Sequence, residues 1–154
     1  MPAESWTQLF WGNVGGCIGE TSALMLLIGL VYLLARKVIK ITIPAAYIGT
    51  VAILTLLFPM GNNNLEWMLC HLFGGGLMLG AIFMATDYVT SPLTTMGQIV
   101  YGVGCGALTV LIRYFGGYNE GVSYAILIMN CFVVLLDRIG RPVKFGAPQK
   151  EASK

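Results

Sequence analysis

A carboxylate and several hydroxyl side chains stand together between two apolar stretches, over Phe83-Met84-Ala85-Thr86-Asp87-Tyr88-Val89-Thr90-Ser91-Pro92-Leu93-Thr94. An ionised aspartate at the centre of a bilayer costs about 2.5 to 3.5 kcal/mol on insertion scales. Ionisable residues in or near lipid therefore usually face a cavity, a partner or an ion route. The pattern makes Asp87 a candidate for cation passage. The alternative is a helix cap or a solvated loop acid.

Two further acids stand near the ends of apolar stretches, Glu120 in a glycine-rich loop and Asp137 beside Arg138. Together with Asp87 they would lie on both faces of a membrane. This distribution is compatible with a pair of sites for cation uptake and release. Glu120 is also typical of a solvated loop, and Asp137 of an interfacial position.

A glycine-rich stretch near the beginning of the chain is the second unusual feature. Its glycines allow close approach of another backbone or a ligand, and the helix that follows would favour an anion at its first turn. The alternative is a re-entrant turn, with Trp6 and Trp11 as interfacial anchors. The candidate ligand-binding residues are Gly12, Asn13, Gly15, Gly16, Glu20, Thr21 and Ser22.

The remaining polar and small residues inside apolar stretches favour packing. His71 is expected to hydrogen-bond a backbone carbonyl, and Asn130 to find a partner on another helix. Gly74-Gly75-Gly76 and Gly80 indicate tight helix contact, as does Tyr101-Gly102-Val103-Gly104-Cys105-Gly106, which no strand precedes. The scattered cysteines lack metal-ligand spacing, and no catalytic residue or metal site is predicted. They are Cys17, Cys70, Cys105 and Cys131.

Composition assigns the chain to the integral membrane proteins. Its 154 residues are 56% hydrophobic and 10% charged, with a mean hydropathy of +0.77, whereas soluble domains contain about 25% charged residues. The apolar runs predict an all-α membrane domain over residues 1–139, with a glycine-rich re-entrant segment over 6–20 and a polar cytoplasmic tail over 140–154. Five spans are predicted, at about 21–35, 43–60, 65–86, 96–115 and 122–136.

Basic residues predict the orientation of these spans. If the chain crosses five times, eight of the nine Lys and Arg residues lie on one face, and only Arg113 lies near the other. That face is cytoplasmic by the positive-inside rule. The Asp87 loop and the tail are therefore expected inside, and the Asn62–Asn64 turn and Glu120 outside. The small net charge of +2 does not indicate nucleic-acid binding.

Several blocks of the chain resemble a known family of membrane subunits. Gly12-Asn13-Val14-Gly15-Gly16 with Gly19-Glu20-Thr21-Ser22-Ala23 resembles the RnfD-type subunit of the Rnf ferredoxin:NAD oxidoreductase. Further blocks resemble both RnfD and NqrB of the sodium-pumping quinone reductase. They are Phe83-Met84-Ala85-Thr86-Asp87, Arg113, Tyr118-Asn119-Glu120-Gly121-Val122 and Leu136-Asp137.

The resemblance implies a subunit of a six-subunit, flavin-containing complex that couples electron transfer between ferredoxin and NAD to export of Na⁺ or H⁺. Its location would be the bacterial or archaeal cytoplasmic (inner) membrane. Family membrane parts have about ten spans in two inverted five-helix halves, as in urea transporters. Asp87, Glu120 and Asp137 match acidic positions that the NqrB branch associates with cation passage. The Gly12 to Ala23 segment would lie on the outer, flavin-bearing face.

The chain also departs from the family pattern. Members carry FMN on a threonine of an S-G-A-T-type motif, and family complexes also hold riboflavin, but these residues contain no such motif. The chain is therefore expected to correspond to the C-terminal half, with the covalent FMN on the other half and no complete catalytic site here. Tyr88 stands where the family usually has proline. The alternatives are half of a passive small-solute channel and a structural membrane anchor for redox partners.

Overall fold

The fold is built of helices that meet at loops rich in glycine and proline. The computed structural model describes residues 6–12, 22–59, 63–74, 76–116 and 121–138. No strand occurs among them, which confirms the predicted all-helical class; the ten-helix inverted repeat stays a prediction. The elements are α1 (Trp6–Trp11), α2 (Ala23–Ala35), α3 (Thr42–Leu57), α4 (Asn64–Phe73), α5 (Leu77–Leu79) with a π-helical continuation (Gly80–Met84), α6 (Thr95–Phe115) and α7 (Val122–Leu136).

Side-chain caps define where two of the long helices begin. The Ser22 hydroxyl accepts from the Met25 N–H at 3.5 Å, and the Thr94 hydroxyl accepts from the Gly97 N–H at 3.1 Å. Both cap residues have extended backbone, as N-caps do. Pro44 lies in the first turn of α3, where its missing N–H costs no helical bond. The bounds of α7 agree with the predicted 122–136.

The third predicted span differs from the single helix expected over residues 65–86. It consists of α4 and the α5–π segment, which meet at an angle of 61°. Gly76 has a left-handed backbone with φ of 65°, which glycine adopts without strain. A Cβ on Gly74 would stand 2.7 Å from the Cys70 carbonyl oxygen. These glycines therefore divide the span, in addition to the packing role predicted for them.

The core lies between α3, α6 and α7. Two glycines of α6 bring it against α3, because a Cβ on Gly102 would stand 2.7 Å from the Ala46 Cβ. One on Gly106 would stand 2.8 Å from the Thr50 Cβ. Gly80 approaches α7 in the same way, where a Cβ would stand 2.2 Å from the Val122 Cγ1. The packing role predicted for these glycines is confirmed.

Contacts between loops define two ends of this bundle. The Tyr88 hydroxyl, in the loop before α6, donates to the Val38 carbonyl oxygen, in the loop after α2. The N–H of Leu93 in the same loop donates to Asp137 at the end of α7. We call this the basic end, after Arg36, Lys37, Lys40 and Arg138, which lie in or beside these segments.

Ring side chains mark the other end. Trp67 Nε1 donates to the Tyr114 hydroxyl at 3.1 Å, which donates in turn to the Phe58 carbonyl at 2.9 Å. These bonds join the end of α3, the body of α4 and the end of α6. We call this the aromatic end, defined by Phe58, Trp67 and Tyr114.

One helix of the described residues, Thr95–Phe115, is long and apolar enough to cross a membrane by itself. The bent pair Asn64–Phe73 with Leu77–Met84 passes the same test when counted as one span. Ala23–Ala35, Thr42–Leu57 and Val122–Leu136 are apolar but shorter than 18 residues. The count of five spans therefore stays a prediction.

Candidate functional site

Polar side chains form a continuous row inside the bundle, along one face of α6. They follow one another by three or four residues, the spacing that places side chains on the same helix face. Three of them, Tyr101, Cys105 and Thr109, are fully buried, and Gln98 is 6% exposed. We call this row the polar track and define it as Gln98, Tyr101, Cys105, Thr109 and Arg113.

The track begins near the basic end with Gln98. Its Nε2 donates to the Pro92 carbonyl oxygen at 3.0 Å, which ties α6 to the loop that precedes it. The other side-chain atom, Oε1, is buried and accepts no hydrogen bond from the described residues. A buried acceptor of this kind is ordinarily satisfied by water or another donor.

Tyr101 and Asn130 form the next step, between α6 and α7. The Tyr101 hydroxyl donates to Asn130 Oδ1 at 2.6 Å, which confirms the interhelical partner expected for Asn130. Tyr101 therefore links α6 to α7.

Tyr47 and Thr109 continue the row between α3 and α6. Their hydroxyl oxygens are 2.6 Å apart, and Thr109 also donates to the Cys105 carbonyl at 2.8 Å. Since Thr109 has a single hydroxyl hydrogen, Tyr47 is the donor in the pair. Tyr47 of α3 thus donates to Thr109 of the track, which donates in turn to the Cys105 backbone carbonyl.

Arg113 ends the track at the break in the third span. Its Nη1 donates to the His71 carbonyl at 2.6 Å, and its Nη2 donates to the Gly74 carbonyl at 3.0 Å. A helix end leaves carbonyls without helical partners and carries partial negative charge. The guanidinium supplies both the donors and the opposite charge, so Arg113 stabilises the end of α4.

His71 lies beside this contact and behaves as expected from sequence. Its Nδ1 is 3.0 Å from the Trp67 carbonyl oxygen, one helical turn earlier. A carbonyl only accepts, so Nδ1 carries the hydrogen and Nε2 is the basic nitrogen of the neutral ring. The imidazole also contacts the rings of Trp67 and Tyr114, with centroids 4.5 and 6.0 Å away.

The structure describes two of the predicted acids, and both lie at the basic end. Asp87 is exposed, with the Thr90 hydroxyl 3.3 Å from its Oδ2. Asp137 accepts from the Leu93 N–H at 2.8 Å. The cap of α6 is Thr94, so the alternative of Asp87 as that cap is wrong. Glu120 lies outside the described residues.

Of the predicted flavin-side residues, the structure describes Gly12 and Ser22. Gly12 has φ of 85° and donates to the Gln8 carbonyl at 2.9 Å, which ends α1. Ser22 caps α2 through its hydroxyl. Both polar groups serve the backbone, so these two residues by themselves do not form a flavin site. The others, Asn13, Gly15, Gly16, Glu20 and Thr21, lie outside the described residues.

Sequence reasoning missed the polar track and the role of Arg113. The spacing of Gln98, Tyr101, Cys105 and Thr109 is visible in the sequence as a polar face on an apolar helix. Their partners Tyr47 and Asn130 lie on other helices, so no local pattern connects them.

Comparison with known proteins gives a consistent set of relatives. The model of the NQR2, RnfD, RnfE family matches residues 1–146. The chain is 49% identical to the D component of a proton-translocating ferredoxin:NAD(+) oxidoreductase complex from Clostridium ljungdahlii, over 92% of the chain and 43% of that protein. It is 47% identical to the D component of an Na(+)-translocating ferredoxin:NAD(+) oxidoreductase complex from Acetobacterium woodii, over 96% of the chain and 46% of that protein.

A third relative is the D component of an ion-translocating oxidoreductase complex from Stutzerimonas stutzeri. It is 44% identical over 89% of the chain and 39% of its own length. The chain therefore spans less than half the length of these relatives.

Proposed function

The chain belongs to the NQR2, RnfD, RnfE family, and we propose that it forms part of the membrane portion of an Rnf-type complex. In this complex, electron transfer between ferredoxin and NAD would drive export of Na⁺ or H⁺. The proposal rests on identities of 47 to 49% with two of these relatives over at least 92% of the chain. The redox steps at ferredoxin and the nicotinamide would belong to other subunits.

The distribution of polar and apolar side chains supports a place in the membrane. Large apolar side chains point outward on α2 and α7, among them Val31 at 65%, Leu127 at 65% and Val134 at 68% exposure. Hydrogen-bonding side chains are instead enclosed between α3, α6 and α7. A soluble protein rarely exposes apolar surface of this extent, whereas lipid covers it without cost.

The proposed orientation has the basic end in the cytoplasm. Arg36, Lys37, Lys40 and Arg138 lie in or beside loops that contact one another there. Arg113 is the other basic residue among those described, and it lies at the break in the third span. This asymmetry agrees with the positive-inside rule. The C-terminal tail would then also be cytoplasmic.

The flavin forms part of the proposal. FMN would be attached to the portion of the subunit that the relatives have and this chain does not cover, and the complex would also hold riboflavin. The support is the resemblance of the segment from Gly12 to Ser22 to the flavin-side segment of the family. An FMN would supply one- and two-electron transfer. This chain would contribute the surrounding backbone.

The carboxylates belong to the same proposal as candidates for cation passage. Asp87 is exposed at the basic end and is available to collect a cation from the cytoplasm. Asp137 accepts a hydrogen bond from the Leu93 N–H, which supports a role for Asp137 in holding the loop that carries Asp87. Glu120 remains a candidate on sequence alone.

Isolation of the complex tests the proposal. The chain, tagged at its C-terminus, is purified from membranes of its source organism in mild detergent. We expect it to bring down the other complex subunits, covalently bound FMN on a partner polypeptide, and NAD⁺ reduction by reduced ferredoxin. Purification as a single polypeptide that conducts a small solute in liposomes would instead indicate a passive channel. A redox-active complex that moves no ion would indicate a membrane anchor.

A further inference from the structure

We propose that the basic end of the bundle binds an anionic phospholipid of the cytoplasmic leaflet, with the lipid phosphate at the turn between α2 and α3. This turn carries Arg36, Lys37 and Lys40, which we call the turn cations, and all three side chains are exposed. The inference rests on the membrane placement in the proposed function, and not on the redox role of the complex.

The turn cations are not needed to cap the end of α2, because backbone N–H groups already do so. The Lys37 N–H donates to the Leu34 carbonyl at 3.0 Å, and the Val38 N–H donates to the Leu33 carbonyl at 3.0 Å. This pair of bonds is a Schellman motif. Basic side chains at other helix ends often hydrogen-bond such carbonyls themselves. Here the carbonyls have backbone partners, so the cationic groups of Arg36 and Lys37 are available to a ligand.

Lys37 has a backbone conformation that glycine adopts more easily. Its φ is 54°, the one positive φ of a non-glycine residue in the described part of the chain. Glycine is the usual residue at this position of a Schellman motif, because a side chain is sterically disfavoured there. Backbone strain of this kind occurs preferentially at functional sites. The exposed ammonium group is what lysine offers and glycine does not, and it points to an anionic ligand.

Exposed apolar side chains lead away from the turn cations along α2. Met25, Ile28 and Tyr32 are exposed to 67, 56 and 63%. They follow one another by three or four residues, so they form one stripe on the helix, and Arg36 continues the same spacing. A phosphate bound by the turn cations would therefore place its acyl chain along this stripe.

The loop before α6 provides a second side of the site. The Tyr88 hydroxyl donates to the Val38 carbonyl, which holds this loop against the turn between α2 and α3. Tyr88 is 71% exposed and Val89 is 89% exposed. Tyrosine is enriched at the membrane–water interface, where its ring lies at the level of the headgroups. The loop therefore adds aromatic and apolar surface beside the cations, where headgroup and acyl chain meet.

The combination of charge and apolar surface favours a phospholipid over an acidic soluble protein. An acidic protein would pair with the turn cations but would not cover the stripe on α2, which extends toward the middle of the membrane. The described acids of the basic end, Asp87 and Asp137, hydrogen-bond with Thr90 and Leu93. The positive charge of the turn is therefore left to an external anion, and a lipid supplies the anion and the apolar chain in one molecule.

Photo-labelling tests the site. The full chain, tagged at its C-terminus, is extracted from membranes in mild detergent with the subunits that accompany it. It is mixed with a phosphatidylglycerol that carries a diazirine in its acyl chain, illuminated, and mapped by mass spectrometry. We expect label on the α2 stripe and on the segment that contains Tyr88. Unlabelled phosphatidylglycerol should compete for this label, and phosphatidylcholine at the same concentration should not.

Three results of this experiment would overturn the inference. Equal competition by both lipids would show that the surface accepts lipid without selecting its headgroup. Competition by glycerol phosphate as strong as that by phosphatidylglycerol would indicate a site for free phosphate. Label that appears only after the accompanying subunits are removed would indicate that a protein covers the turn cations.

Lys37→Gly separates lipid binding from folding. Glycine relieves the left-handed backbone, so the thermal midpoint in neutral detergent should stay the same or rise. Half-maximal competition should nevertheless require about fivefold more phosphatidylglycerol, the effect of one basic residue near a membrane surface. Arg138→Gln removes an exposed cation from the end of α7 and is the matched control, with the wild-type competition value expected.

Two results with these variants would contradict the site. A lower thermal midpoint for Lys37→Gly with unchanged competition would show that Lys37 serves the fold alone. Equal weakening by Lys37→Gly and Arg138→Gln would indicate attraction to the basic end as a whole. Failure of the proposed function is distinguishable from both, since a preparation that selects phosphatidylglycerol but contains no redox subunits would contradict that function alone.

Discussion

The Asp137 carboxylate accepts a hydrogen bond from the backbone N–H of Leu93 at 2.8 Å, across 44 residues of sequence. The contact attaches the end of α7 to the loop that precedes α6. This loop also carries Asp87 and is held to the Val38 carbonyl by Tyr88. Asp137, one of the acids predicted for cation passage, therefore helps to position the loop that carries Asp87, another of these acids.

The bond from Leu93 predicts that the acceptor atom of Asp137 matters more than its charge. Asp137→Asn keeps a carbonyl oxygen at the same place and should retain most ion transport. Asp137→Ala leaves the Leu93 N–H to bond with water and should cost about 0.5 to 1.5 kcal/mol of stability. Transport per electron and the midpoint of thermal unfolding are measured for both. Equal loss of transport in the two variants would indicate a role for the charge.

Asp87 is predicted to matter through its charge. Its side chain is exposed, so replacement by Asn should leave folding unchanged and slow cation collection at the basic end. We expect Asp87→Asn to lower ion transport per NAD⁺ reduced several-fold, by about 1 kcal/mol in barrier. Glu66→Gln, at an exposed acid on α4, is the control. Unchanged coupling in Asp87→Asn would remove Asp87 from the candidates for cation passage.

Arg113 is predicted to be irreplaceable by lysine. The guanidinium reaches two carbonyls at once, at His71 and Gly74, which a single ammonium group does not reproduce. Arg113→Lys should therefore destabilise the protein by about 1.5 to 3 kcal/mol. The exposed Arg138→Lys should have no effect. A thermal midpoint for Arg113→Lys equal to that of wild type would contradict this account of the broken span.

Close packing of α3 on α6 predicts opposite effects of two glycine substitutions. A Cβ on Gly106 would stand 3.0 Å from the Tyr47 carbonyl, whereas one on Gly49 would meet nothing within 4 Å. Gly106→Ala should destabilise by about 1 to 3 kcal/mol through overpacking. Gly49→Ala should be neutral or stabilise by up to about 1 kcal/mol, through helix propensity. Thermal unfolding in detergent compares them, and equal midpoints would refute the close contact.

The basic end is predicted to face the cytoplasm. In a variant without natural cysteines, Lys40→Cys and Asn63→Cys place one thiol near each end of the bundle, both at exposed positions. A membrane-impermeant maleimide added to intact cells should label Cys at 63 and not at 40. In inverted vesicles the preference should reverse. Labelling of both thiols from one side would contradict the crossing pattern.

Local sequence patterns predicted much of the fold because helix ends depend on nearby residues. The bounds of α7 and the bond between His71 and Trp67 each depend on residues within about one helical turn. Glycine was harder to interpret. Gly74-Gly75-Gly76 was expected to favour packing, but the left-handed Gly76 also divides the span, and both behaviours follow from the missing side chain.

The candidate site was less predictable because its contacts join distant residues. Tyr47 and Thr109 are 62 residues apart, and Arg113 lies 42 residues from His71. No periodicity within one helix identifies the partner on another. From its sequence position, Asp137 was a candidate for cation passage. In the structure its carboxylate also accepts a hydrogen bond from the Leu93 N–H, a distant residue that the sequence does not identify. The sequence identified polar residues at depth, and the packing of α3, α6 and α7 shows how they connect.

Ion movement driven by ferredoxin is the most direct test of the central claim that this chain is a membrane subunit of an ion-translocating complex. Inverted vesicles are prepared from a strain lacking the chain and from the same strain with the chain restored. We predict that NAD⁺ reduction by reduced ferredoxin generates an ion gradient in the restored vesicles alone. An equal gradient in vesicles without the chain would contradict the claim.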